Sequence, residues 1–436
     1  MYSCPETTWP NGVTLWKTLL LMPTPAPAPA VPRLTYLRIK NYRTLRDVEF
    51  RDLTPLTVLI GPNGSGKSTV LDALDFLAEA VRGNLIGAWE KRNRFAGMRT
   101  RGSTDSIDFE LRIQLDIINP LLVYCLSIDE ADGIAFVSEE SLTEVGQENK
   151  RIFFLDDASP NSLRNQGFEE VFRNNIYSHD IASGNSTSPS STPFIARMSF
   201  FPKDIGREWP LALSVASLSL SYRYIHLTDD HLKGYSDAGP REKLSPNGDN
   251  LPNVLYYLHS RHPETLAKIT AQMRRWVPGL ADIVPEITSD ERILLRFRDA
   301  PFEKPLPAQY MSAGTMRLAA LLTLLYEPDA AGLLGIEEPE NELHPQLLAY
   351  LAEELIAATD TRQLLVVTHS PALLNALQPE QVWILHRGAD GYTQATRTAD
   401  LPGIPAMVEE GTPLGYLWSR NFFDVGNPLD LPTPIQ

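Results

Sequence analysis

Cysteine is nearly absent from this sequence, with two in 436 residues. One of them, Cys4, sits in a tail-like segment, so no disulfide framework is expected and a reducing, cytoplasmic setting fits. No apolar run approaches ~18 residues, which excludes a membrane-spanning helix. Positive charge is in deficit, with 39 Lys and Arg against 54 Asp and Glu and a net charge of −15. That balance argues against a protein that coats nucleic acid over its whole surface, though not against a local basic site. No heptad pattern persists and no segment repeats, so neither a long coiled coil nor a solenoid is expected. What is present is an ordinary globular mixture, 43% hydrophobic and 21% charged, enough for two or three domains.

Residues 1–33 differ from the rest. Leu15 to Met22 is a short apolar stretch carrying Lys17, and Pro23 to Pro32 alternates Pro and Ala, a stiff extended pattern. A signal peptide would need a charged start that this segment lacks. A disordered tail, or a start at Met22, accounts for it. Beyond it, Leu34 to Ile39 alternates like a strand and Leu56 to Ile60 is a compact apolar strand. Val70, Leu71, Leu74, Leu77, Ala78 and Val81 share one face of a helix. Strand-like runs recur at Ile107 to Ile113, Leu121 to Ile128 and Ile293 to Phe297, with a helical region over 250–280. Arg317 to Tyr326 reads as an apolar helix. Three more strands follow, Gly332 to Ile336, Gln363 to Thr368 and Val382 to Leu385, the first two separated by a helix. Strands alternating with helices predict an α/β fold with a mainly parallel sheet.

Between strand and helix lies Gly61-Pro62-Asn63-Gly64-Ser65-Gly66-Lys67-Ser68, followed by Thr69. This is a complete phosphate-binding loop in its proper setting. Its glycines let backbone N–H groups turn toward phosphates, and the helix N-terminus adds partial positive charge there. Lys67 is expected on the β- and γ-phosphates of ATP and Ser68 on Mg²⁺. Glu337 and Glu338 end an apolar strand, where ligands bind in open α/β sheets. Glu337 is assigned to the Mg²⁺ shell, through water because it is longer than Asp, and Glu338 to the attacking water. His369 ends another apolar strand and is expected beside the γ-phosphate.

Ser312-Ala313-Gly314-Thr315 precedes the acidic strand by one helix. In order with Lys67, Glu338 and His369, it resembles the signature of ABC-type ATPases. Ile336-Glu337-Glu338-Pro339-Glu340-Asn341-Glu342-Leu343-His344-Pro345 is similar to a group of bacterial AAA-family ATPases related to the RecF, SMC and OLD-nuclease ATPases. Lys40-Asn41-Tyr42-Arg43 and Asp249-Asn250-Leu251 resemble further elements of that group, so the likeness spans about residues 34–420. It implies a P-loop ATPase head. Residues 34–115 and 306–420 would form its two parts, 116–305 an inserted helical and β lobe with a flexible loop at 183–193, and 421–436 a second tail. It also implies a homodimer in the ATP state, in which Ser312 and the Gly314 amide reach the γ-phosphate held by the other subunit. The sequence departs from relatives in three ways. His344 stands where many have Asp, no glutamine between Thr69 and Arg112 marks a Q-loop, and no Toprim-like acidic pattern follows His369. The expected function is therefore a nucleotide-gated switch in DNA repair or anti-phage defence, working with a separate nuclease or toxin. A transporter's ATP-hydrolysing subunit, or a scaffold that never touches DNA, are the alternatives.

Two basic groups stand out, Lys91, Arg92, Arg94, Arg99 and Arg101, and Arg38, Lys40, Arg43, Arg46 and Arg51. They fit DNA contact and internal ion pairing equally well. His226, Asp229, Asp230 and His231 lack a recognised metal-ligand spacing and read as a polar loop.

Overall fold

The computed structural model describes residues 32–115, 121–146, 150–156, 215–289 with short breaks, and 292–427. Most of the expected N-terminal tail, the expected loop at 183–193 and residues 428–436 lie outside them.

The centre is a six-stranded sheet. In chain order, β3 is Leu56–Ile60, β8 is Arg223–Ile225, β13 is Leu333–Glu337, β14 is Gln363–Val367, β15 is Val382–Arg387 and β16 is Thr393–Arg397. They lie in the order β16-β15-β3-β14-β13-β8. All pairs are parallel except β15 with β16. Every residue of β3, β13 and β14 is buried. Structure covers both faces, so these strands read as unbroken apolar runs rather than alternating ones. Register does the rest. Glu337 pairs with Val367, and Val367 with Leu59, so the three strands end level with one another.

One face packs on the helix Lys67–Val81 and, beyond it, an antiparallel sheet. That sheet holds β1 (Arg33–Tyr42), β2 (Leu45–Phe50), β4 (Ile107–Gln114), β5 (Leu121–Ala131), β6 (Ile134–Val145) and β7 (Lys150–Asp156), in the order β2-β1-β4-β5-β6-β7. Its strands alternate buried and partly exposed residues, as in β4, because only one face meets the core. The other face of the central sheet packs on the helices Ala313–Leu325, Leu348–Ala358, Leu251–Arg261 and Pro263–Trp276. A small antiparallel sheet joins them, built from β10 (Leu280–Ile287), β11 (Arg292–Asp299) and β12 (Leu306–Pro307), with β9 (Ser236–Asp237) on β11. Eleven residues of Ala313–Leu325 are buried, which explains why it is apolar all round.

The fold is α/β, as expected, but three boundaries move. Among the described residues, the segment 116–305 is divided between the two faces of the central sheet. Its first strands extend the antiparallel sheet, β8 becomes an edge of the central sheet, and its described residues from Leu227 onward pack on the opposite face. Arg33, expected in the tail, opens β1 and donates to Arg362 O at 2.7 Å. Phe423, expected in the C-terminal tail, is buried beside Trp418. The helical region 250–280 is two helices, because Pro263 opens a new one and cannot continue the old. Among the described residues no helix is long and apolar enough to cross a membrane.

Candidate functional site

The loop after β3 is shaped by its neighbours as much as by its glycines. A side chain at Gly61 would lie 2.0 Å from Leu385 O, and one at Gly66 would lie 2.5 Å from Thr393 Oγ1. Gly64 faces open space, and there only its φ of 74° calls for glycine. Thr393 holds the loop from behind. Its hydroxyl donates to Ser65 O at 2.8 Å and lies 2.9 Å from the Thr44 hydroxyl. Arg387 Nε donates to Gly64 O at 2.7 Å.

Several polar groups in this loop lack satisfying partners. The helix Lys67–Val81 begins at Gly66 with no side-chain cap and no acidic residue in its first turn. Its first N–H groups are thus left for an anion. Ser65 Oγ is buried without a hydrogen-bond partner. Lys67 is 4% exposed, and its Nζ donates to Gly61 O and Pro62 O, both at 2.9 Å. Burial pulls the Lys67 pKa down to about 8, against the opposing pull of Glu338 and Glu337.

The level strand ends bring the acidic pair to this loop. The Ser68 hydroxyl donates to Glu337 Oε1, and the Tyr224 hydroxyl donates to Oε2 of the same carboxylate. His226 Nδ1 lies 3.1 Å from that second oxygen. A serine hydroxyl beside a carboxylate is an oxygen donor set that suits a hard cation such as Mg²⁺. Glu338 turns through a φ of 45°, with its N–H donating to Val367 O at 2.8 Å. Asn341 Nδ2 donates to its Oε2 at 2.7 Å, and His369 Nε2 lies 3.4 Å from Oε1. Arg317 donates to the Glu338 carbonyl at 2.7 Å. Burial and the Lys67 charge lower the His369 pKa against the pull of Glu338. Glu340 Oε1 in turn accepts from Thr368 Oγ1 at 2.6 Å and from His369 N at 2.8 Å, tying the two strand ends together.

The expected signature opens a helix. Ser312 is exposed and caps the helix Ala313–Leu325, its Oγ accepting from Thr315 N at 3.1 Å. Its other hydrogen bond, to the Thr315 hydroxyl, also stays within that turn. A side chain at Gly314 would lie 2.4 Å from Glu342 O. Of the expected site residues, the structure brings together 61–69, Glu337, Glu338 and His369, while the side-chain bonds of Ser312 stay within its own turn and Gly314 packs on the turn that follows Glu338. His344 caps a short turn, accepting from Gln346 N at 3.2 Å.

Tyr224, His226, Asn341, Glu340, Arg317, Thr44 and Thr393 were not foreseen at the site. Asn341 and Glu340 stood in the acidic string itself, whereas Tyr224 lies on, and His226 just after, a strand too short to show a period. Among the described residues, no group of three or more His, Cys, Asp or Glu gathers as metal ligands. His231 turns to Thr228 within its own loop.

The basic groups are largely consumed within the fold. Arg92 is buried among Asp72 at 3.0 Å, Asp75 at 2.7 Å and Glu79. Arg99 pairs with Asp129 at 2.7 Å and lies over Phe95. Lys91, Arg38 and Arg51 pair with Glu79, Asp47 and Glu49. Arg43 pairs with Asp72 at 3.0 Å.

Comparison with known proteins places this geometry. A family model described as "AAA domain, putative AbiEii toxin, Type IV TA system" matches residues 56–375. An OLD nuclease of Thermus scotoductus is 48% identical over 44 residues, 10% of this chain and 8% of that protein. The DNA replication and repair protein RecF of Chlorobium luteolum is 40% identical over 58 residues, 13% of this chain and 15% of that protein. The chain thus aligns with only a small part of either relative's length. Among solved structures, an Smc head domain of Pyrococcus furiosus, bound to the C-terminal domain of ScpA, aligns with a TM-score of 0.47 at 13% identity. That alignment covers 87% of this chain and 100% of the other. The SMC head domain of Thermotoga maritima gives 0.39 at 15% identity, covering 84% and 98%. The family match runs from the first residue of β3 to the short helix after His369 and so takes in the whole strand-end cluster; the chain belongs to this family of AAA-domain P-loop ATPases.

Proposed function

We propose that the chain binds ATP with Mg²⁺, hydrolyses it, and acts as a nucleotide-gated switch that closes as a homodimer. The observation that carries this reading is that one piece of the expected site is assembled and the other faces outward. The phosphate loop, Glu337, Glu338 and His369 converge, while the Ser312 side chain is exposed and bonds only within its own turn. In this reading Lys67 leaves the carbonyls of Gly61 and Pro62 for the phosphates. Ser68 and Glu337 would hold Mg²⁺, which would supply charge neutralisation for the phosphates. Glu338 orients the attacking water and accepts its proton, and His369 donates a hydrogen bond toward the γ-phosphate. Ser312 and the Gly314 amide complete the site of a second subunit.

A separate nuclease or toxin acts as effector, and the toxin–antitoxin description of the family favours defence over repair. The pairing of Arg92, Arg99, Lys91, Arg38 and Arg51 within the fold favours a switch that does not grip DNA through those two basic groups. The test is the Glu338→Gln variant at saturating ATP, with mass measured by light scattering. A dimer that reverts on nucleotide removal is expected, and a monomer at saturation would sink the two-piece site.

A further inference from the structure

We infer that His226 is a nitrogen ligand of the divalent cation that accompanies the nucleotide, so that the site joins hydroxyl, carboxylate and imidazole donors. This rests on the proposed nucleotide site and names a residue of its metal shell. Strand register carries the argument. Ile225 of β8 pairs with Ile336 of β13, so His226 falls beside Glu337 where both strands end. Its Nδ1 stands 3.1 Å from Glu337 Oε2. Two donors bound at right angles to one octahedral ion, each ~2.1 Å away, are themselves about 3 Å apart. His226 is not needed merely to hold Glu337. The Tyr224 hydroxyl, two residues earlier on the same face of β8, already donates to that oxygen, and the Ser68 hydroxyl serves the other.

The His226 backbone is fixed by its N–H donating to Pro246 O at 2.8 Å, while its side chain is 52% exposed at the rim of the site. Binding requires the tautomer with its proton on Nε2, which leaves the Nδ1 lone pair for the ion. Ser68, Glu337 and His226 are too few to retain an ion by themselves, so phosphate oxygens must supply further positions and occupancy follows the nucleotide. An imidazole in the set shifts preference toward Mn²⁺ and later transition ions relative to Mg²⁺.

The test loads the full chain with Mn²⁺ and ADP and records pulsed electron-spin-echo modulation. The expected result is a ¹⁴N coupling from a directly bound imidazole, replaced by a ¹⁵N signal after ¹⁵N-histidine labelling. It is lost in His226→Gln and kept in His369→Gln. Mn²⁺-dependent ADP affinity is expected to fall about tenfold or more in His226→Gln, with a smaller change in Mg²⁺. Labelling requires no substitution, so a misfolded variant cannot decide the matter. Wild-type protein that holds Mn²⁺ and ADP without nitrogen coupling overturns the ligand assignment alone. Protein that binds no nucleotide overturns the site reading and this inference with it.

Discussion

The helix Lys67–Val81 carries two clusters of charge that are finished to different degrees. At its start, Lys67 bonds only to its own loop's carbonyls, Ser65 Oγ has no partner, and no side chain caps the first turn. One to three turns along, Asp72, Asp75 and Glu79 enclose Arg92, and the Tyr42 hydroxyl and Arg43 complete the set. Both clusters mix buried cations with carboxylates. What separates them is saturation. A cluster whose donors and acceptors are all matched from within specifies structure, whereas one left incomplete is arranged for something that arrives from outside.

The contrast is tested most severely at Glu338. Glu338→Gln is expected to lower kcat about a thousandfold while ATP affinity holds, read by phosphate release and by equilibrium binding. Unchanged turnover would move water activation to another group. Arg92→Ala is expected to do the opposite, removing about 3–5 kcal/mol of stability because three carboxylates lose their buried partner. Denaturant unfolding measures that loss, and nucleotide affinity of the folded protein should stay level. If affinity fell while stability held, the two clusters would be one.

Lys67→Ala is expected to weaken ATP binding about a hundredfold with little change in unfolding, since the lost bonds run only to its own loop. The smallest effect lies in pH. Lys67 is charged below about 8 in the free protein, so ATP affinity is full there and falls as pH rises through that value. The fall is at most about tenfold between pH 8 and 9. Lys67→Arg should remove this fall, and a profile that stays flat in the wild type would mean that Lys67 does not bind as a cation.

Legibility in the sequence followed contiguity. The phosphate loop stands in one run of residues, and Glu337, Glu338 and His369 stand at the ends of wholly buried strands, which apolar runs reveal. Tyr224 was hidden, and His226 stood out only in a cluster read as a polar loop, because β8 has three residues and its pairing with β13 is set by the tertiary fold. Thr44 and Thr393 meet across 349 positions, with nothing local to mark either. The fate of Arg92 had a visible trace. Asp72, Asp75 and Glu79 are spaced by three and four residues along one helix face, an acidic stripe awaiting a buried cation. The extended antiparallel sheet and the dispersal of 116–305 were not legible, since both depend on which strand edges meet in space.

Gly314 has a consequence for interpreting any variant made there. Its backbone meets the Glu342 carbonyl so closely that even a methyl group would collide at 2.4 Å. Glu342 belongs to the turn that also holds Asn341 against Glu338. Bulk at 314 would therefore disturb Glu338, the carboxylate proposed to activate water, before any neighbour was involved, and a dead Gly314→Ala variant would say nothing about contact between copies. Ser312 separates the two effects. Asn in its place keeps an acceptor for the Thr315 amide and alters only the outward shape, so a defect there would belong to the encounter rather than to the fold.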